Sequence, residues 1–180
     1  MKKIKLSIPI LLIIVGILFG CAQNTADADV EADIAAIKQV LDRYLLAVNT
    51  NDMDLFMTCW TDDARRLEAD WNIIVGKEKI KERFKPFFDH LNMDIAFYSE
   101  IEVEVADDLG FSIGNVIVES VPLEGGPTSL LDFKVTTIFK RQADGSWKMY
   151  IDHTSPNPVW SNDSTSQEML DKQDLSDPAL

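Results

Sequence analysis

Four side chains of this sequence have the chemistry for acid–base work: the phenol of Tyr44, the carboxyl groups of Glu68 and Asp132, and the imidazole of His153. A phenol can donate a hydrogen bond to an oxygen on which negative charge develops. A desolvated glutamate can act as a general base, and histidine titrates near neutral pH. These residue types predict a site that could move protons without a cofactor, provided that the fold brings them together.

Tyr44 and Glu68 each also have an ordinary structural interpretation. Tyr44 can be a core tyrosine whose hydroxyl bonds a main-chain carbonyl. Glu68 can stay ionised beside Arg66, which shares its strand face under strict alternation. If Leu67 and Trp71 are the inward residues instead, Glu68 lies in water, and we favour that reading.

His153 lies near the end of the last predicted strand. At a period of two it follows the residues of the apolar face, which are Trp147, Met149 and Ile151. We therefore predict that His153 faces the apolar side and that Asp152 points away from it. His153 can then bind a substrate, pair with Asp132 on a neighbouring strand, or bridge the strand to the tail.

The sequence favours neither a metal nor another cofactor. It has two histidines, His90 and His153, which are far apart and lack a cluster of carboxylates at ligand spacing. It has no glycine-rich phosphate loop and no Ser/His/Asp signature. Cys59 lies among apolar residues and is read as a small buried hydrophobe rather than a nucleophile.

Three helices are predicted to position these residues. Residues 34–48 carry an apolar stripe at spacings of three and four, formed by Ile34, Ile37, Leu41, Tyr44, Leu45 and Val48. Asp52 can cap a second, short helix that carries Leu55, Phe56, Cys59 and Trp60. A third amphipathic helix follows Gly76, and Pro86 should kink it or end it early.

From residue 94 the apolar period changes from 3.6 to 2, which predicts antiparallel strands. The predicted strands cover residues 94–105, 111–121, 130–141 and 147–153, with a hairpin turn at Asp144-Gly145. Residues 64–71 form a short edge strand or an irregular segment. Helices followed by strands indicate an α+β domain with three N-terminal helices on one face of a curved antiparallel sheet. Its core or cavity wall should contain Trp60, Trp71, Phe84, Phe88 and Trp147.

The first residues are typical of an export signal. Three lysines precede an apolar run over residues 6–19, which is short for a permanent membrane span. The run ends in Leu18-Phe19-Gly20-Cys21, which resembles the lipobox of bacterial lipoproteins. That resemblance implies cleavage before Cys21, attachment of acyl chains such as palmitate to Cys21, and placement in the cell envelope, at the outer membrane of a Gram-negative cell because Ala22 follows. The alternative is an uncleaved membrane anchor.

We divide the chain into residues 1–20 as signal peptide, 21–30 as tether, 31–157 as the folded domain and 158–180 as a disordered acidic tail. Loss of the three lysines with the signal takes the formal net charge from −13 to −16. Such acidity disfavours nucleic acid as a partner, because phosphate binding needs clustered Lys and Arg.

Two segments resemble the nuclear-transport-factor-2-like superfamily and, within it, the SnoaL-like group. They are RYLLAVNTNDMDLFMTCWTDDA at residues 43–64 and GSWKMYIDHTS at residues 145–155, with Gly76 opening the third helix between them. The resemblance covers about residues 34–155. It implies a cone-shaped sheet of the cystatin-like α+β roll type, wrapped around a pocket that the helices cover.

One member of that superfamily, ketosteroid isomerase, allows a comparison residue by residue. Tyr44 matches its oxyanion tyrosine, and Glu68 falls on the position of its aspartate base. Its protonated aspartate falls near Lys134 or Val135, and only a shifted strand would bring in Asp132. The superfamily also contains binding and assembly domains, so fold does not settle activity.

We therefore carry three hypotheses for function. The first, which we favour, is a lipid-anchored domain that binds a small apolar or amphipathic molecule, with ligand contacts from Tyr44, Trp60, Trp71, Phe84, Trp147 and His153. The second is a cofactor-independent isomerase, cyclase or dehydratase that uses Tyr44 with Glu68, Asp132 or His153. The third is an assembly domain in which two copies pair through the exposed sheet face; a homodimer is compatible with all three.

Overall fold

The computed structural model describes residues 8–69 and 71–157, with side chains from residue 29 onward. The elements in chain order are α1 (Ile8–Asn49), α2 (Met53–Thr58), β1 (Trp60–Glu68), β2 (Ile74–Val75), α3 (Lys77–His90), β3 (Leu91–Phe97), β4 (Glu102–Ala106), β5 (Leu109–Pro122), β6 (Ser129–Arg141) and β7 (Trp147–Pro156). The predicted tail from residue 158 and the side chain of Cys21 lie outside the described part.

The first helix buries the predicted stripe. Ile37, Leu41 and Val48 are buried, and Tyr44 and Leu45 are partly buried against the same core. The helix begins at Ile8 rather than near Ile34, so it also runs through the residues assigned to the tether. Among the residues that the structure describes, no helix is long and apolar enough to cross a membrane.

The turn after α1 contains the predicted helix cap. Asp52 Oδ1 accepts a hydrogen bond of 2.8 Å from the Leu55 amide and so caps α2. The helix ends at Thr58, and Trp60 begins β1 instead of continuing the helix as predicted. The side chain of Asn49 donates to the Ile95 carbonyl and accepts from the Ile95 amide at 3.1 and 2.7 Å, which ties the end of α1 to β3.

Pro86 does not end α3, contrary to one of its two predicted effects. The helix continues to His90, and the Leu91 amide bonds the Phe87 carbonyl beyond it. Phe88 is buried in the core in the turn that follows the proline. Burial of this ring offsets the one main-chain hydrogen bond that a proline removes.

The seven strands form one curved sheet in the order β2-β1-β7-β6-β5-β3, and β4 also pairs with β5. Strand β1 is not the predicted edge strand, because the short β2 covers its outer side. Strand β1 pairs with β7 in parallel, whereas we expected antiparallel pairing only. The predicted α+β class, with helices on one face of a curved sheet, is confirmed.

One predicted strand is two strands in the structure. Strands β3 and β4 lie along the same side of the long β5, β3 on its second half and β4 on its first. Between them the chain bends past Gly114, where an added Cβ would lie 3.0 Å from the Phe97 ring. Alternation alone cannot detect such a bend, because both segments keep the same period.

Strand β7 contains a bulge that reverses the predicted side-chain directions. Phe139 pairs with Met149 and Ile138 pairs with Ile151, so Tyr150 is an extra residue in the ladder. Beyond it Asp152 is buried and His153 is exposed. The prediction that His153 faces inward and Asp152 outward is therefore wrong, since one inserted residue moves every later side chain to the opposite face.

Candidate functional site

A cavity of about 630 Å³ lies between the helices and the concave face of the sheet. This volume is within the range of pockets that hold small molecules. The exposed residues among those that line it mark the entrance: Ala69, Trp71, Pro127, Ser129, Leu131 and Pro156.

The cavity wall is mostly apolar. Helices α1 and α3 contribute one side, with Leu41, Leu45, Val48, Phe84 and Phe87. The sheet contributes the other, with Met93, Ile95, Phe97, Val116, Val118, Phe133, Val135 and Met149. Inward residues of β6 recur at every second position as predicted, because that strand has no bulge before Ile138.

A buried ion pair forms the polar part of the cavity. Asp152 on β7 lies between Arg66 on β1 and Thr137 on β6 in the strand registers, so the three side chains share the concave face. Arg66 Nη1 donates to Asp152 Oδ2, and Thr137 Oγ1 donates to Asp152 Oδ1 at 2.6 Å. Arg66 Nη2 donates to Thr154 Oγ1 at 3.0 Å.

A second ion pair extends this network toward the entrance. Glu68 Oε1 accepts from Arg66 Nε at 3.3 Å, and Glu68 Oε2 accepts from Arg83 Nη2 at 2.8 Å. The Arg83 guanidinium lies between two aromatic rings, 4.9 Å from the ring centre of Trp71 and 4.8 Å from that of Phe87. These contacts hold Arg83 in place by cation–π attraction as well as by charge.

Tyr44 lies next to this polar cluster. Burial raises the pKa of the Tyr44 phenol above its ordinary value, and the nearby positive charge of Arg66 acts in the opposite direction. The phenol is therefore neutral at neutral pH and can both donate and accept a hydrogen bond. Its ring packs on Phe56 and Trp60, with ring centres 5.2 and 6.3 Å away.

The structure brings together part of the predicted site. Tyr44, Glu68, Trp71 and Phe84 line the cavity. Glu68 is therefore not the solvated side chain that we favoured, and it pairs with Arg66 as in the alternative.

Four other predicted residues do not line the cavity. Trp60 and Trp147 are buried in the core. Asp132 lies on the outer side of β6, where its Oδ1 accepts from the Tyr98 hydroxyl at 2.8 Å, and exposed His153 lies in register with Thr136 and Leu67. The His153–Asp132 dyad, one of three alternatives for His153, does not form among the described residues, where Asp132 accepts from Tyr98 and Asn157 instead.

Sequence reasoning missed Asp152, Thr154 and Arg83 as parts of the site. The bulge hid the two β7 residues, and nothing in the helix pattern of α3 distinguishes Arg83 from its charged neighbours. Arg66 appeared only as a structural partner of Glu68. No local signal distinguishes Asp152 and Thr154 from His153 and Ser155, because the two pairs alternate equally along the strand.

The arrangement favours binding over proton transfer. Both oxygens of Glu68 and one of Asp152 accept from guanidinium groups, and the second Asp152 oxygen accepts from Thr137. Each carboxylate oxygen is thus already a hydrogen-bond acceptor in an ion pair or beside one, so proton abstraction by either carboxylate would disturb these contacts. Within the described residues, no group of three or more His, Cys, Asp or Glu side chains could hold a metal ion.

Comparison with known proteins agrees with this architecture. A family model described as "SnoaL-like domain" matches residues 37–159. No protein with a curated description matches the chain.

Several solved structures are similar to the chain. A conserved protein from Planctomyces limnophilus shares 22% identity with a TM-score of 0.65, over 71% of this chain and 99% of that one. A ketosteroid isomerase-like protein from Erwinia carotovora shares 24% sequence identity with a TM-score of 0.62, over 70% of this chain and 98% of that one. A nuclear transport factor 2-like superfamily protein from Salmonella enterica shares 13% sequence identity with a TM-score of 0.62, over 71% of this chain and 93% of that one. At these identities the likeness establishes the fold alone.

Proposed function

The chain belongs to the SnoaL-like domain family, within the nuclear-transport-factor-2-like superfamily, and we propose that it binds a small, mostly apolar molecule in its conical cavity without converting it. The observation that carries this proposal is the cavity itself, about 630 Å³ of space with apolar walls and one polar cluster. An apolar cavity with a few converging polar groups is the usual form of a small-molecule site.

A second candidate is a cofactor-independent acid–base enzyme. Its support is the neutral phenol of Tyr44, which lines the cavity beside Arg66 and could polarise a carbonyl oxygen. The family resemblance to ketosteroid isomerase points the same way. Its weakness is the base, because the carboxylates at the cavity are held by arginines and His153 and Asp132 lie outside it.

Filling the cavity should abolish the binding. Val118 is half-buried on β5 and lines the cavity, so Val118→Trp places an indole in the space that a guest would occupy. We expect a small molecule to co-purify with the full-length chain. The amount of this molecule per mole of protein should be at least tenfold lower in the variant. The measurement is solvent extraction of equal amounts of both proteins followed by mass spectrometry.

Val75→Trp is the matched control for this experiment. Val75 is 50% exposed on β2 and does not line the cavity, so the same substitution there should leave the co-purified molecule unchanged. Thermal unfolding of both variants checks that they fold. Equal occupancy of the wild-type and Val118→Trp chains would contradict the proposal.

We also propose that the domain is attached to the cell envelope through a lipid on Cys21. The support is the sequence Leu18-Phe19-Gly20-Cys21 after an apolar run with three preceding lysines. A single acyl chain gives marginal membrane binding, so stable attachment needs two or more. The pairing of two copies through the outer sheet face stays a prediction.

The Cys21→Ser variant tests the lipid attachment. We expect the acylated mass of the mature chain to disappear and the protein to lose its resistance to high-salt extraction from membranes. Mass spectrometry of the intact chain and fractionation of cells measure the two effects. Cys59→Ser is the control, because the Cys59 thiol is buried and should carry no lipid. An unchanged mass in Cys21→Ser would contradict the assignment.

A further inference from the structure

We propose that the cavity selects uncharged molecules that carry a hydrogen-bonding group, and that it rejects carboxylates and ammonium ions of the same size. This inference rests on the proposed binding function and names the class of its ligand. It follows from the balance of charge among the side chains that line the cavity.

Four charged side chains are found among the described residues that line the cavity: Arg66, Glu68, Arg83 and Asp152. Two are positive and two are negative, so their charges cancel. Each is also engaged: Arg66 pairs with Asp152 and Glu68, and Glu68 pairs with Arg83. The side chains of Arg66 and Asp152 are 10% and 3% exposed, so water screens this pair little.

A charged guest would upset this balance. A carboxylate that entered would leave one net negative charge in a space walled by apolar groups, and an ammonium would leave one positive charge. An arginine or carboxylate of the cavity could neutralise the charge of the guest only by giving up its present counter-charge. Burying a charge without a counter-charge is strongly unfavourable, so the ion should stay in water.

An uncharged polar group meets no such obstacle. Arg66 donates three of its five N–H groups to Asp152, Glu68 and Thr154, and the Tyr44 oxygen is also within hydrogen-bonding reach of this guanidinium. At least one N–H group is therefore left for a guest oxygen. The Tyr44 hydroxyl is neutral and can donate or accept. A hydroxyl, ester or amide can therefore be satisfied at the polar cluster while an apolar body fills the rest of the cavity.

Rejection of a cationic guest is more informative than rejection of an anionic one, because the net charge of the whole chain attracts cations. The formal net charge of −13 repels anions from the surface and attracts cations to it. A bias against carboxylates alone could come from that long-range field. Rejection of an ammonium ion as well can come only from the cavity.

Three probes of one chain length provide the test: decan-1-ol, decanoate and decylammonium at pH 7. Equilibrium dialysis measures their uptake by the full-length chain, and uptake by Val118→Trp is subtracted to remove binding outside the cavity. We expect decan-1-ol to bind at least tenfold more tightly than either ion. Equal affinity of an ion and the alcohol would overturn the inference while leaving the proposed function intact.

Two variants change the charge balance. Glu68→Gln keeps the shape of the side chain, whereas Arg83→Gln also removes the guanidinium group that contacts the rings of Trp71 and Phe87. Glu68→Gln makes the cluster positive by one charge, so the affinity for decanoate relative to decan-1-ol should rise at least tenfold. Arg83→Gln makes the cluster negative by one charge, so the affinity for decylammonium relative to decan-1-ol should rise at least tenfold. An unchanged ratio in both variants would overturn the inference, and failure of the wild-type chain to take up any of the three probes would overturn the proposed function together with it.

Discussion

Asp152→Ala is expected to lower the free energy of unfolding by about 3–5 kcal/mol, the range for breaking a buried ion pair by removing one partner. The Asp152 side chain is 3% exposed and accepts from Arg66 and Thr137. Its removal leaves the buried Arg66 guanidinium with Glu68 as its one remaining counter-charge and leaves the Thr137 hydroxyl without its acceptor. Equilibrium unfolding in urea, followed by circular dichroism, measures the loss.

Asp89→Ala is the matched control for that measurement. Asp89 pairs with Lys85 on the surface of α3, where the two side chains are 45% and 64% exposed. Exposed pairs contribute about 0–1 kcal/mol, so this variant should unfold almost as the wild type does. Equal losses in Asp152→Ala and Asp89→Ala would show that the Asp152 pair is not the buried interaction that the structure describes.

A double variant distinguishes the loss of the ion pair itself from the cost of leaving one buried charge without a partner. Arg66→Met with Asp152→Leu removes both charges and leaves apolar side chains in the cavity. Replacing both partners avoids the unpaired charge, so the double variant should be more stable than Asp152→Ala alone. It should also bind decan-1-ol more weakly, because Arg66 no longer offers an N–H group to the guest.

The helices and the cap between them could be predicted from the sequence because their signals are local. The stripe of α1 needs only its own spacing, and Asp52 needs only the amide three residues later. The faces of β6 were equally predictable, since Leu131, Phe133 and Val135 alternate without interruption and all line the cavity. The stripe of α1 and the cavity face of β6 each keep one period over the residues on which the prediction rested.

The polar centre of the site could not be predicted, because it depends on relations between strands. Asp152 turns inward only because Tyr150 is an extra residue in the pairing of β7 with β6. Asp152 meets Arg66 only because β1 and β7 pair in parallel with these two residues opposite each other. Neither the bulge nor the parallel pairing leaves a mark in the alternation of the strand itself, so His153 was chosen in place of its neighbour.

Phe56→Ala is expected to lower the free energy of unfolding by about 3–5 kcal/mol, which is typical of truncating a fully buried phenylalanine. Phe56 is 0% exposed and lies where three helices and β1 meet. Its ring centre is 5.2 Å from Tyr44 on α1 and 5.8 Å from Trp60 on β1. It is 4.9 and 5.2 Å from Phe84 and Phe88 on α3, so the variant removes contacts to every helix that covers the cavity.

Phe87→Ala supplies the comparison for Phe56→Ala, since it removes the same atoms from a half-buried ring that lines the cavity. Phe87→Ala should lower the free energy of unfolding by less than half as much as Phe56→Ala, because part of the Phe87 ring is already in water in the folded chain. The binding assay should rank the two variants differently from urea unfolding, since Phe87 lines the cavity and Phe56 acts through the packing of Tyr44 and Phe84. If Phe87→Ala destabilised the chain as much as Phe56→Ala does, the helices would be held to the sheet mainly at the cavity wall. The aromatic cluster around Phe56 would then not be the centre of the core.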